Sequence, residues 1–314
     1  MLFAVAAVAA VAIIRLWLLP IVNSFWLDET LIVRTIRGGF SQVASNAAAS
    51  LQSVGFCSVE WLVSRAWNAS EIALRLPSIV AALASLYVYY RLGVEFIDRE
   101  AGLIFASLYI MLPQVAFEVP NARPYSLALL AHAGALLWLL RWTRSGLLRH
   151  GLWWTLCAAA ACHLQPLFVL GLGVEGFFVL WLLLKSTAIR PRDFAICGAV
   201  AVILLLPALS QAVAMSRQAA LLSFVDRPSL GSVLPVIFPF YALGAAAIMA
   251  VITRLEGTPL RWTAMKDASN LNVLAALLLF ASTFYLESDE FEKVLWGGAM
   301  YTLFTSGSEN SPDR

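Results

Sequence analysis

The feature that most constrains this chain is a succession of apolar runs separated by short, arginine-rich loops. About 20 apolar residues make a helix long enough to cross the ~30 Å of a bilayer's hydrocarbon. Such runs occupy residues 2–22, 71–92, 101–117, 124–140, 194–213, 232–253 and 270–286. Residues 151–184 form one longer run with no Lys or Arg. As a single helix it would measure about 51 Å, too long to cross once. It therefore divides into two short spans, turning near His163-Leu164-Gln165-Pro166. The fold class expected is all-α, a polytopic transmembrane bundle of about nine spans. Composition agrees. At 61% hydrophobic and 13% charged, a soluble chain of 314 residues could not bury its apolar surface.

The first run has no basic segment before it, and Trp17-Leu18-Leu19-Pro20 is a poor cleavage site, so it reads as a retained span. The four cysteines form no CxxC pair, which argues against a disulfide framework and a zinc site. The basic loops, residues 91–99, 141–149, 185–192 and 254–266, all follow even-numbered spans. The positive-inside rule makes them cytoplasmic, and the N-terminus with them. The outer side then receives residues 23–70, the turns 118–123 and 163–166, the loop 215–229 and the acidic tail from Glu287. Within 23–70, apolar residues interleave with Arg34, Arg37 and Arg65, the pattern of amphipathic helices lying in the interface. Ser70 is placed to cap the second span, and Pro77 to kink it.

This topology gathers polar residues that are distant in sequence. Asp28, Glu29, Glu118, Asn121, Arg123 and His163 all fall at the outer ends of spans. Asp28 and Glu29 follow Phe25-Trp26, where Trp is a natural interfacial anchor. An Asp-Glu pair is also common simply as a helix start. Arg123 precedes the fourth span. An Arg there often only snorkels, but on the outer side it runs against the positive-inside bias. Its fork geometry suits a phosphate at head-group depth. Arg15 and Arg75 lie at the outer ends of their spans and serve either as phosphate-binding partners or as structural counter-ions. His163 is either a hydrogen-bonded structural residue or an auxiliary donor to a phosphate. Glu175, inside the sixth span, reads as a structural hydrogen-bond partner, two to three turns below the rest.

Four stretches then carry a resemblance. Trp26-Leu27-Asp28-Glu29 comes first. Ser70-Glu71-Ile72-Ala73-Leu74-Arg75-Leu76-Pro77-Ser78 and Asp98-Arg99-Glu100-Ala101-Gly102-Leu103 follow, and then Asn121-Ala122-Arg123-Pro124-Tyr125-Ser126-Leu127. In that order they resemble the GT-C membrane glycosyltransferases, nearest to the protein O-mannosyltransferases and the lipid A aminoarabinose transferases. The resemblance covers roughly residues 11–184. It implies a sugar donor carried on polyprenyl phosphate, used at the outer face of the membrane, with a protein, lipid or glycan acceptor and no nucleic acid partner. Asp28 corresponds to the family's catalytic base, with Glu29 beside it orienting the acceptor or sharing a divalent cation. Arg123 corresponds to an Arg associated with the lipid phosphate, with His163 and Arg75 as further phosphate ligands. Asn121, Tyr125 and Glu118 would either contact the acceptor or support the groups that do. No cofactor is required, and a divalent cation is compatible with the pair of carboxylates.

Two departures stand out. Relatives carry His-Pro-Pro or Ser-Pro-Leu-Tyr later in the first loop, where this chain reads Gln52-Ser53-Val54-Gly55-Phe56-Cys57. Relatives are also longer. On this reading residues 1–222 form the catalytic region, 223–286 further spans with a fading family pattern, and 287–314 a polar tail without fixed structure. The expected location is a bacterial inner membrane with the site facing outward. The rival readings are a truncated, non-catalytic relative, and a transporter or flippase built around a midplane group such as Glu175.

Overall fold

In the computed structural model, residues 2–184 and 188–216 are described, and every described residue in a regular element is helical. Among the described residues, three helices are long and apolar enough to cross a membrane, or four if the bent pair at the N-terminus counts as one span. This is the all-α membrane architecture expected, at a coarser count than about nine spans. The eighth and ninth spans and the polar tail lie outside the described residues.

Helix α1, Leu2–Ile13, continues through a π-helical turn, Ile14–Leu18, and a tight turn, Leu19–Val22. Pro20 cannot donate to a helical ladder, which accounts for the tightening at that point. After a short break the chain enters α2, Leu27–Thr35, bent by 63° from the preceding segment. That bend takes α2 off the axis of the first run. Helices α3, Phe40–Ala49, and α4, Val54–Ala66, complete residues 23–70. Each buries one face, and Arg34 of α2, Arg37 in the turn after it and Arg65 of α4 are exposed, as the amphipathic pattern predicts. Their shared core holds Ile32, Ile36, Val43, Ala47, Phe56 and Cys57, closed by Leu74 and Ala122 from beyond the loop.

Helix α5, Glu71–Phe96, starts at Ser70, whose hydroxyl accepts from the Ala73 N–H at 3.4 Å. It turns back at once into α6, Arg99–Met111. Gly93 and Gly102 let the two backbones meet: a Cβ on Gly93 would lie 2.6 Å from Ala101 and Gly102 backbone atoms. The expected third span, 101–117, is broken. Pro113 cannot continue α6, and the chain restarts as α7, Pro113–Glu118.

Helices α8, Tyr125–Ser145, α9, Leu148–Leu164, α10, Phe168–Leu184, and α11, Pro191–Ser216, follow. The long apolar run does divide, with its break at Gln165–Leu167. Helices α5 and α8 pack side by side and run parallel. At one end the Ser78 hydroxyl donates to the Arg123 carbonyl, 3.2 Å. At the other, Arg141 donates to Glu95, which also pairs with Arg91 at 2.8 Å. Ser78 to Glu95 spans about 26 Å of helix, close to a hydrocarbon thickness. Val202, Ile203, Leu206 and Leu209 of α11 are all exposed, the mark of a lipid-facing helix.

Candidate active site

The first turn of α2 sets the site. Successive helical residues diverge by ~100°, so adjacent carboxylates cannot share an environment. Asp28 keeps 48% of its side chain exposed, whereas Glu29 is completely buried. Glu29 reaches back to the Trp26 N–H at 2.9 Å, one half of a capping box. Its Oε1 accepts from Arg75 Nε at 2.9 Å and from the Ala122 N–H at 2.7 Å. Its Oε2 accepts from an Arg75 terminal nitrogen at 2.6 Å. Burial alone would raise the Glu29 pKa. The Arg75 fork and the two backbone N–H groups outweigh it and hold the carboxyl below its ordinary value.

Arg75 is as fully engaged as its partner. Besides Glu29, its guanidinium donates to the carbonyls of Ile21 at 2.8 Å, Asn23 at 2.5 Å and Ser24 at 3.3 Å. It is 1% exposed. The phosphate contact expected of Arg75 therefore has no N–H left to make it, because five donors already serve five bonds. The buried ion pair ties together the break after α1, the start of α2, the second turn of α5 and the turn before α8. Its two oxygens engaged, Glu29 is likewise turned away from the acceptor or cation role.

Arg123 follows Ala122 directly and emerges beside Asp28. Its guanidinium bonds the Asp28 carboxylate with one terminal nitrogen and Glu118 Oε1 with the other, at 3.0 Å. Burial lowers the Arg123 pKa, but Glu118, Tyr125 and Asp28 more than restore it, so the cation is permanent. The Tyr125 ring lies 5.9 Å from the guanidinium carbon. Asn121 braces the turn, donating to the Phe117 carbonyl at 2.7 Å. Glu118, Asn121 and Tyr125 are all buried around Arg123, and only Asp28 opens widely to the surroundings.

The other expected residues make their contacts elsewhere. The His163 ring bonds the Leu204 carbonyl of α11 at 2.8 Å, and its own carbonyl accepts from the Ser53 hydroxyl at 2.6 Å. Ser53 also caps α4, accepting from the Phe56 N–H at 3.2 Å. The stretch that departs from the family pattern is thus the seat of α4 on the end of α9. Gly55 is required there, since a Cβ would stand 2.5 Å from the His163 carbonyl oxygen. Arg15 is exposed on the π-helical turn. Glu175 accepts from the Trp154 indole N–H at 2.5 Å and lies 3.3 Å from His132 Nδ1, a buried polar contact inside the helix bundle.

Sequence reasoning passes over Glu60. It is completely buried on α4, and neither carboxyl oxygen has a hydrogen-bond partner among the described residues. Burial, then the charge of Glu29, push its pKa up to about 9. The signal was its spacing: Phe56, Cys57 and Glu60 share one helical face, and the first two are core residues.

Among the described residues, no three His, Cys, Asp or Glu side chains are placed to share a metal ion. What the arrangement offers chemically is one exposed carboxylate against one permanent cation, both fixed to a buried ion pair. No protein-family model matches the chain, and no curated protein matches it.

Proposed function

We propose that this protein is a membrane glycosyltransferase that moves a sugar from polyprenyl phosphate to an acceptor hydroxyl at the outer face of the membrane. The observation that carries the reading is the exposed Asp28 carboxylate held against Arg123 by the Glu29–Arg75–Ala122 clamp. A transferase of this kind needs a base for the acceptor proton and a cation for the departing phosphate. Asp28 and Arg123 supply one each, at the ends of apolar helices where a lipid-borne donor would lie.

In the resting arrangement the two neutralise each other. A donor phosphate competes with Asp28 for the Arg123 fork, and its arrival frees the carboxylate. The acceptor oxygen then bonds to the anomeric carbon while its proton passes to Asp28. The bond from that carbon to the phosphate oxygen breaks, and its electron pair leaves on the phosphate facing Arg123. Direct displacement inverts the anomeric configuration. The chemistry asks for no resident cofactor.

The test is sugar transfer in membranes over a panel of polyprenyl-phosphate sugars, with wild type and Asp28→Asn. Loss of a general base costs ~10²–10⁴-fold in rate. Transfer by wild type and its collapse in Asp28→Asn at equal expression are expected. Equal rates for the two, or no transfer from any donor, overturn the reading. A second reading, transport, is favoured by the buried His132–Glu175 contact, since ionisable groups inside apolar helices often mark ion paths. Proton-coupled flux in proteoliposomes that is lost in Glu175→Gln would favour it instead.

A further inference from the structure

The Glu29 clamp has a second carboxyl beside it. On α2, Glu29 and Ile32 lie on the buried face, which Ile36 continues just past the helix end; on α4, Phe56, Cys57 and Glu60 do the same. Both faces enter the core closed by Leu74 and Ala122, and α2 packs on α4. Glu60 therefore lies close enough to Glu29 to feel its charge. Arg75, the buried cation of this clamp, has no N–H free for a second carboxylate. An anionic Glu60 would be a buried charge with neither counter-ion nor hydrogen bond, the arrangement proteins avoid by protonation.

We propose that Glu60 works as a neutral carboxylic acid, a positioning residue that leaves the Glu29–Arg75 pair undisturbed and thereby fixes the gap between Asp28 and Arg123. The transmission is short. Glu29 follows Asp28 directly, and Ala122, whose N–H Glu29 binds, precedes Arg123 directly. Ionised, Glu60 would repel Glu29 or draw water into the core. Either loosens both residues of the pair at once. The consequence for transfer rests on the function proposed above; the protonation itself does not.

The groups around Glu60 are few. On α4 itself Cys57 is buried and Arg65 points outward. From α2 come Glu29 and, on its more exposed sides, Asp28, paired with Arg123, and Arg34; from α5 come Arg75 and Glu71; from α9, His163, whose ring is bound to Leu204. Helix α3 brings no ionisable group. None of the described groups offers Glu60 a cation that is not already engaged or exposed.

The sign follows by linkage. The folded state holds this proton up to pH about 9, whereas the unfolded chain releases it near the ordinary value of 4.5. The folded state binds more protons between those values, so Glu60 destabilises it progressively as pH rises through that window. Glu60→Gln mimics the protonated group without titrating. Two measurements on the purified full chain test this. Thermal stability should be higher in Glu60→Gln than in wild type at pH 8, with the difference shrinking toward pH 5. The infrared absorption of protonated carboxylic acids at pH 7 should lose one component in Glu60→Gln. A less stable Glu60→Gln at pH 8, or an unchanged infrared spectrum, overturns the proposal whether or not the protein transfers sugar.

In the transfer assay, Glu60→Gln should match wild type at pH 7 and keep its rate above pH 9, where wild type falls several-fold. An alkaline limb identical in both removes the positioning role. Absence of transfer in wild type, with the stability and infrared results as expected, sinks the function instead and leaves Glu60 as a neutral buried acid.

Discussion

Adjacent residues in one helical turn receive opposite tasks here. Asp28 and Glu29 differ by one methylene and ~100° of helix rotation, and the rotation decides. Asp28→Asn keeps the shape and removes the basicity, so turnover should fall while folding is preserved. Glu29→Gln is different. It leaves the buried Arg75 with a neutral partner, and breaking a buried pair from one side costs ~3–5 kcal/mol. We expect Glu29→Gln to lower the melting temperature and the yield of folded protein, whereas Asp28→Asn should change neither. A Glu29→Gln protein as stable as wild type would show that the clamp is dispensable. Arg123→Lys retains the charge and loses the two-pronged grip. Donor binding should weaken in Arg123→Lys, and more in Arg123→Ala, without loss of membrane insertion. Equal donor binding by wild type and Arg123→Ala would leave Arg123 with a purely structural task.

At the scale of elements, the site depends on where α4 is seated. Ser53 and Gly55 dock its start on the end of α9, and His163 ties that same end to α11. Adding one methyl at Gly55 forces it against a backbone oxygen, which cannot swing aside as a side chain can. Gly55→Ala should cost ~1–3 kcal/mol. It should also lower transfer by shifting α4 against α2, although it touches neither Asp28 nor Arg123. Unchanged melting temperature and unchanged rate would show that the seat tolerates movement. His163→Asn, by the same reasoning, should act on stability first; a large loss of donor affinity with full stability would restore its expected place at the phosphate.

At the scale of the whole molecule, the two ends of the α5–α8 pair differ in character. One holds the Asp28–Arg123 pair over its buried clamp. The other holds Arg91 and Arg141 around Glu95, where the basic loops begin. If the positive-inside rule orients the chain, the first end faces outward. A cysteine at exposed Ser45 should then react with an impermeant reagent on intact cells, and one at Ser145 only after lysis. Reaction of Ser45→Cys only after lysis would place the site on the cytoplasmic side and remove the case for an outward-facing donor.

The sequence by itself determined the helical class and much of the segmentation. Apolar length and arginine placement are local properties, and they located the division of 151–184 and the amphipathic helices of 23–70. It also brought Asp28, Glu118 and Arg123 to one end of the bundle, because topology alone sends alternate span ends to the same side. Only the tertiary structure decided what each of them does there. Pattern cannot show that Arg75 is saturated by three carbonyls and a carboxylate, since carbonyls belong to every residue and leave no mark in composition. Nor can it show that the His163 ring turns toward Leu204. Glu60 is the clearest case. Its spacing put it on a core face, but whether a buried carboxyl is paired depends on which cations the fold brings near and whether their hydrogens are already taken.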